Sequence, residues 1–272
     1  MKKTVLITGS STGIGRAAAH YFQEQGWNVA ATMRTPSKER ELNQLADVIC
    51  PALDVTSEDS IKGAIEATIQ KFGRIDVIVN NAGYGLTGPF EGATEDQIKR
   101  QFETNVFGLM RVTKAILPHF RSQKSGVIVN VASMGGRIVF PLYSLYHGTK
   151  WAVEGFSESL RFEIEPLGIR IKIVEPGAIK TDFYDRSNDS TLPNSPNDYQ
   201  ADAKIAFKNM NEAGATGTDP KVVAKAIFKA ASDGSNKLRY PVGPDAKSLL
   251  WLRRFISDST FARLVRMTVY KA

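Results

Sequence analysis

Residues 5–25 read VLITGSSTGIGRAAAHYFQEQ: an apolar run, a glycine-spaced turn and a helical pattern in direct succession. The run 5–8 is short and continuously apolar, as a strand covered on both faces is. Gly9, Gly13 and Gly15 space the turn as G-x-x-x-G-x-G, which permits tight curvature and close approach of a ligand to the backbone. Residues 16–25 have helical periodicity and stop at Gly26. In a doubly wound sheet this turn lies at the carboxyl edge, where dinucleotide phosphates rest on a helix N-terminus. A flexible turn has the same composition; its place between a strand and a helix favours the nucleotide reading.

Outward from that unit, strands are predicted over 28–33, 48–53, 77–80, 127–131, 169–174 and 238–241. Helices are predicted over 38–45, over 57–72 with Ser57 as N-cap and Gly73 as stop, and over 94–120. Thr94 caps the last of these, with Glu95 and Asp96 in its first turn. Two more helices are predicted over 142–165 and 220–231. Strands alternate with helices, and the strands are apolar throughout. This indicates an α/β fold: a doubly wound parallel sheet of about seven strands with helices on both faces. Neither a repeat nor a low-complexity linker interrupts the pattern, so 1–272 reads as a single domain. Within it, 183–217 is a substrate loop with a short helix over 202–210, and 244–272 is a helical tail.

The chain of 272 residues is 42% hydrophobic and 23% charged, as ordinary globular proteins are. Its net charge of +7 is scattered, and no nucleic-acid signature accompanies it. The single cysteine, Cys50, excludes an intrachain disulfide and suits a reducing compartment. The N-terminal apolar run enters the glycine turn directly, as a first strand and not a signal peptide does. No apolar stretch is long enough to span a membrane. A cytoplasmic protein without nucleic-acid partners or a metal site is expected.

Tyr146 and Lys150 are one helical turn apart, so their side chains project the same way. A neighbouring cation favours phenolate, and a tyrosine so tuned exchanges protons near neutral pH. Ser133 ends the apolar run VIVNVAS and can face the same hydroxyl. Tyr-x-x-x-Lys alone is also compatible with a plain helix surface. At the end of the second strand, a carboxylate would bind a ribose 2′-hydroxyl, whereas an arginine accommodates a 2′-phosphate. Met33 holds the acidic position and Arg34 follows, so NADP(H) is favoured over NAD(H).

Five elements now stand in order: Thr8-Gly9-x3-Gly13-x-Gly15; Asp54; Asn80-Asn81-Ala82-Gly83; Ser133 with Tyr146-x3-Lys150; and Pro176-Gly177 with Thr181. Together they resemble the short-chain dehydrogenase/reductase family in its single-domain Rossmann form. AATMRT around Arg34 and the YHGTKWAVEGFSESLRFE helix are most similar to the NADP-dependent hydroxysteroid/retinol dehydrogenase and carbonyl reductase branch. The resemblance implies that Gly9, Ser11, Thr12, Gly13, Ile14 and Gly15 form the pyrophosphate turn. It implies that Ser11 and Arg34 hold the 2′-phosphate and that Asp54 and Val55 meet the adenine. Asn81, Ala82 and Gly83 would lie beside the cofactor. Asn105 would kink its helix and position a water next to the lysine. Ser133 would orient the substrate oxygen, Tyr146 would be the acid/base, and Lys150 would bond the nicotinamide ribose. Pro176, Gly177, Ile179 and Thr181 would surround the nicotinamide. Tyr143 is a competitor for the acid/base role, rejected because His147, not lysine, follows it by one turn.

The implied reaction interconverts a ketone or aldehyde and an alcohol, ketoreductase or alcohol dehydrogenase chemistry. A non-catalytic NADP(H) sensor on the same fold is the alternative. An extended-family nucleotide-sugar epimerase would need a larger C-terminal domain. Tyr84, Met134, Val139, Tyr143, Phe183 and Phe207 are candidate pocket residues, and their apolar character suits a lipophilic carbonyl. The tail interleaves Trp251, Leu252, Phe255, Ile256, Phe261, Leu264 and Val265 with Arg253, Arg254, Arg263 and Arg266. Such a helix can lie on a membrane surface; packing over the substrate mouth or on a partner subunit is favoured. The helices bearing Asn105 and Tyr146 carry surplus apolar residues: Val106, Leu109, Val112, Trp151, Phe156 and Leu160. They are expected to pair across a twofold axis in a homodimer or homotetramer.

Overall fold

The computed structural model describes residues 2–181 and 188–271. The chain runs β1 (Thr4–Ile7), α1 (Gly13–Glu24), β2 (Asn28–Ala31), β3 (Val48–Ile49), α2 (Glu58–Phe72), β4 (Val77–Asn80) and β5 (Gly85–Thr87). Then come α3 (Glu95–Phe102), a π-helical segment (Glu103–Gly108), α4 (Leu109–Gln123), β6 (Gly126–Val131), α5 (Ser144–Ile164) and β7 (Ile169–Pro176). β8 (Asn188–Ser190), α6 (Gln200–Ala215), α7 (Pro220–Ser232), β9 (Arg239–Val242), α8 (Pro244–Leu252) and α9 (Asp258–Val269) complete it.

Seven strands form one sheet in the order β3-β2-β1-β4-β6-β7-β9, and every pair is parallel. This is the α/β architecture expected from the alternation. From β1 the chain winds outward to β2, then returns to the other side of β1 as β4. The carboxyl ends of β1 and β4 therefore flank the crevice that binds ligands in open α/β sheets. On one face α1 and α7 pack Phe22, Val223 and Ile227 against the sheet. Phe22 meets Trp27 and Phe228 edge-on at centroid distances of 5.2 and 5.1 Å. On the other face α2, α4 and α5 contribute Ile61, Ile116, Phe120, Leu160 and Ile164.

The helix starts obey local chemistry. Ser57 Oγ accepts from the Ser60 N–H and Gly73 closes α2 in the left-handed region, φ 81°. Thr94 and Gln97 form a reciprocal capping box at α3. Other expectations need correction. Residues 38–45 are not a helix but two short 3₁₀ turns, Pro36–Lys38 and Leu42–Gln44. The second and third strands are shorter than expected, and only an isolated Met33–Ala52 bridge prolongs their line. The helix foreseen over 94–120 is broken by the π segment. Residues 188–217 are not an open loop: β8 pairs with β5, and α6 has 16 residues.

Val106, Leu109, Val112 and Leu160 belong to the chain's own core, each under 9% exposed, so they cannot form an intersubunit face. The apolar groups left outside on these helices are Phe107, Trp151 and Phe162. The tail packs inward in part: Leu250 and Phe261 cluster with Ile138, and Leu249 and Val269 reach the cavity rim, while Trp251, Phe255 and Leu264 stay exposed. Arg253 does not point outward; it lies over the Phe261 ring at 5.2 Å and donates to Ile256 O. Among the described residues no helix is long and apolar enough to cross a membrane.

A buried polar ladder pins two helices to the sheet. Asn80 Nδ2 donates to Asn130 Oδ1 at 2.8 Å and to Thr113 Oγ1 at 3.1 Å, and Asn130 Nδ2 donates to Ser157 Oγ at 2.8 Å. Asn130 is fully buried, so its removal strands polar atoms on β4 and α5. Asn130→Ala should lower the unfolding free energy by roughly 1–3 kcal/mol in urea titrations, without changing helix content.

Candidate active site

The site begins where β1 and β4 end. Thr8 Oγ1 accepts from the Asn81 and Ala82 N–H groups at 2.9 and 3.0 Å. Asn81 Nδ2 donates to the carbonyls of Thr8 at 2.9 Å and Gly9 at 3.1 Å. The glycine turn is thereby fixed to the end of β4. Gly9 and Gly13 adopt left-handed backbone, φ 70° and 56°, as only glycine does readily. Gly15 differs from expectation: it lies beneath the turn, off the cavity wall, and a Cβ there would run into Gly9 O and Asn81 Nδ2.

Thr12 precedes α1 without making a capping hydrogen bond, and the first turn of α1 has no acidic residue. That helix N-terminus suits an anion. Arg16 binds Glu39 at 2.8 Å and Glu41 at 2.6 Å and reaches Ser11 O at 3.4 Å. Its guanidinium holds the Glu39 carboxyl down at about 2.

One cavity of about 1110 Å³ runs from this turn to α5. Ser11, Thr12, Gly13, Ile14, Arg34, Asp54 and Val55 line one end, together with Met33 and Thr56. Arg34 is exposed there and makes no hydrogen bond or ion pair among the described residues. Asp54 Oδ1 already accepts from Thr56 N at 2.9 Å and Thr56 Oγ1 at 2.7 Å. Asn81, Ala82 and Gly83 line the middle, and Ser133, Tyr146, Lys150, Pro176, Gly177, Ile179 and Thr181 line the far part.

Helix α5 carries both Tyr146 and Lys150. Lys150 is buried; its Nζ donates to Val131 O at 3.0 Å and lies 5.6 Å from the Tyr146 ring centroid. Burial pushes this ammonium down to about 8, while the charge of Glu154 pulls it back. Ser133 Oγ accepts from Gly135 N at 3.0 Å, which shapes the turn after β6. His147 accepts the Phe140 N–H at its Nε2 at 3.0 Å, and burial pushes it down to about 4. It is a neutral brace for the loop before α5.

Asn105 does not line the cavity. Its Oδ1 accepts from Tyr84 N at 3.1 Å, and its Nδ2 donates to Tyr84 O at 2.9 Å and Thr149 Oγ1 at 3.3 Å. Of the pocket candidates, Tyr84, Met134 and Tyr143 line the cavity. Val139, half exposed, and Phe207, partly buried on α6, do not line it. Phe183 lies outside the described residues. Sequence reasoning missed Phe140, Met210, Leu249 and Val269, which complete the apolar lining. It also missed Asp245, whose Oδ2 accepts from Ala178 N at 2.6 Å and whose carboxyl occupies the space a side chain at Gly177 would need. Asp245 follows β9, and only the folded sheet brings it to the end of β7.

The fit to a dinucleotide rests on the open α1 N-terminus, the left-handed glycines and a cavity whose lining is continuous from the glycine turn to α5. Gly13 faces Thr181 across it, where a Cβ on Gly13 would fill the gap at 3.5 Å.

The family described as short chain dehydrogenase matches residues 3–191. An uncharacterized oxidoreductase of Schizosaccharomyces pombe is 42% identical over 229 residues, covering 84% of this chain and 96% of that protein. A 3-ketodihydrosphingosine reductase of Bacteroides thetaiotaomicron is 37% identical over 253 residues, covering 91% and 92%. Among solved structures, a short-chain dehydrogenase from Streptomyces avermitilis is similar with TM-score 0.84 and 34% identity over 98% of this chain and 96% of its own. ElxO with NADP bound is similar with TM-score 0.75 and 31% identity, covering 91% and 100%.

Proposed function

Because this chain belongs to the short chain dehydrogenase family, we propose that it is an NADP(H)-dependent oxidoreductase interconverting a ketone or aldehyde with its alcohol. The observation that carries this reading is the common cavity of Ser133, Tyr146 and buried Lys150 with the glycine turn. The non-catalytic alternative has no observation in its favour. When bound, the nicotinamide supplies or accepts the hydride. Gly9, Ser11, Thr12, Gly13 and Ile14 would hold the phosphates through backbone N–H groups, and Pro176, Gly177, Ile179 and Thr181 would wall the reactive end. Ser133 Oγ holds the substrate oxygen. Tyr146 Oη gives that oxygen a proton in reduction and takes it back in oxidation. The Lys150 ammonium beside it favours the phenolate.

Tyr84, Met134, Phe140, Tyr143, Leu249 and Val269 give the substrate region an apolar and aromatic lining. A lipophilic carbonyl compound suits it, consistent with a hydroxysteroid-, retinol- or ketosphingoid-type substrate. The relative named as a 3-ketodihydrosphingosine reductase supports that class. Tyr146→Phe should abolish turnover on a carbonyl panel while NADPH still binds in a fluorescence titration. Near-normal kcat in this variant would overturn the assignment.

Cofactor choice turns on Arg34. Glu39, the first carboxylate after β2, is engaged by Arg16 and leaves Arg34 without a competing partner. The NADP complex of ElxO supports the preference for NADP(H). A charged hydrogen bond is worth about 1.5–3 kcal/mol, so Arg34→Ala should raise KM for NADPH by roughly ten- to a hundredfold and barely change NADH. Met33→Asp should shift the preference further. Equal weakening of both cofactors in Arg34→Ala would refute the role.

We also propose a homodimer or homotetramer. Trp151 and Phe162 lie on one side of α5 and are 52% and 74% exposed, and an apolar helix face calls for a partner. Sedimentation at micromolar concentration should show no stable monomer, and Trp151→Glu with Phe162→Glu should produce one.

A further inference from the structure

Outside the cavity lining, a second group of charges surrounds the far side of Lys150. Glu154 follows Lys150 by one turn of α5, and Glu175 lies at the end of β7, next to Pro176 of the cavity wall. Both are buried, 4% and 0% exposed. Arg239 on β9 donates from Nε to Glu154 Oε2 at 2.9 Å and lies 3.7 Å from Glu175 Oε1. Arg137, in the turn that begins at Ser133, donates from Nη1 to Glu175 Oε1 at 3.2 Å. The remaining arm of Arg239 is drawn to Glu158 at 2.7 Å.

Two oxygens are left over. Glu154 Oε1 and Glu175 Oε2 are buried and have no donor among the described residues, and the two carboxyl groups converge on one atom, Arg239 Nε, at 2.9 and 3.7 Å. Two carboxylates so placed cannot both ionise easily. A proton between the two orphaned oxygens satisfies both.

We propose that Glu154 Oε1 and Glu175 Oε2 share one proton, and that this acid pair is a positioning site that sets the charge of Lys150. The first half stands on the shared Arg239, the burial of both carboxyls and their two unpartnered oxygens; the second rests on the role proposed for Lys150. The pair also ties the elements of the site together. The turn after Ser133 lies directly on α5, since a Cβ at Gly136 would come within 2.9 Å of both Glu154 Cγ and Lys150 O. The charged groups facing the pair are Lys150 and Glu158 from α5, Arg137 from the turn and Arg239 from β9. Burial, and then Glu175, push the Glu154 carboxyl up to about 7. Burial pushes Lys150 down to about 8, and Glu154 opposes that shift. As the pair sheds its proton near neutrality, the negative charge beside Lys150 grows and the ammonium is favoured. The two titrations are therefore coupled.

Infrared spectra of protein labelled with ¹³C-glutamate test the first half on the wild type itself. A protonated carboxyl band should persist at pH 6 and vanish in Glu154→Gln and in Glu175→Gln. Thermal unfolding gives an independent sign. A carboxyl raised above its ordinary 4.5 stabilises the fold below that pH and loses the contribution as pH rises through about 7. The wild-type Tm should therefore carry a downward component over that window, and Glu154→Gln should remove it. Two ionised ion pairs would give no such band and the opposite slope, which overturns the proposal. The second half is read by NMR of ¹³Cε-labelled lysine, with Lys150 assigned from Lys150→Met. Its midpoint should fall by roughly one unit in Glu154→Gln; an unmoved midpoint overturns the link. Neither readout requires turnover, so a failure of the proposed reaction is seen separately.

Discussion

All seven strands of the main sheet run parallel, so their carboxyl ends share one edge and the winding must reverse once along it. The reversal falls beside β1, and the first glycine turn is forced to that position. A parallel neighbour cannot close the gap left there by helices departing in opposite directions, so a crevice is a consequence of topology. What remains for side chains is to hold its two lips in register. Thr8 and Asn81 do this, exchanging hydrogen bonds between the turn after β1 and the turn after β4. The ligand-facing backbone is thus anchored from beneath, and the anchoring groups need not touch a ligand.

Buried charges differ in how fully the fold uses their donors. Lys172, 2% exposed, spends its ammonium on the carbonyls of Ser235 and Lys237, with Asp233 and Tyr240 nearby. Its donors are consumed by the loop before β9. Lys150 is almost as buried yet has a single acceptor, Val131 O, among the described residues. An ammonium has three donors, so Lys150 retains capacity at the cavity wall where Lys172 has none. Desolvation of a charge is costly unless hydrogen bonds and counter-charge offset it. Glu154, outside the cavity lining, supplies counter-charge to Lys150, which itself lines the cavity.

Features set by local periodicity were legible in the sequence. The parallel strands, the Ser57 and Thr94 caps, the Gly73 stop and the Tyr146–Lys150 helix face all depend on residues close in the chain. Residues 38–45 were misread because a polar, helix-like composition cannot show where one carboxylate will turn. The Glu39 carboxylate accepts the backbone N–H groups of Arg40, Glu41 and Leu42 at 3.1, 2.8 and 2.9 Å. A side chain that captures those donors competes with the helix that would use them. Val139 and Phe207 were misplaced for a different reason: apolar character marks burial and contact, not the wall on which a residue ends up. Asp245 was illegible because 67 residues separate it from the Ala178 amide it accepts. The segment 188–217 looked loose because its order comes from β5 pairing and from Thr191, whose Oγ1 donates to Pro89 O at 2.7 Å.

The π-helical segment Glu103–Gly108 is explained by what Asn105 must reach. A regular helix would satisfy its own backbone and carry the side chain of residue 105 around its surface. Widening the turn is unfavourable for backbone bonding and is seen mostly at functional sites. Here it is offset by three side-chain hydrogen bonds from one buried carboxamide, to Tyr84 N, Tyr84 O and Thr149 Oγ1. At about 1 kcal/mol each, they are of the size needed to hold a distorted turn. Thr149 Oγ1 in turn donates to Tyr146 O at 2.7 Å. The line from Tyr84 through Asn105 and Thr149 therefore ends on the backbone of the proposed acid/base residue. It couples the loop after β4, which contributes Tyr84 to the cavity wall, to the first turn of α5. Asn105 thus acts on the site by position: moving its carboxamide would displace both walls of the cavity together, though it lines neither.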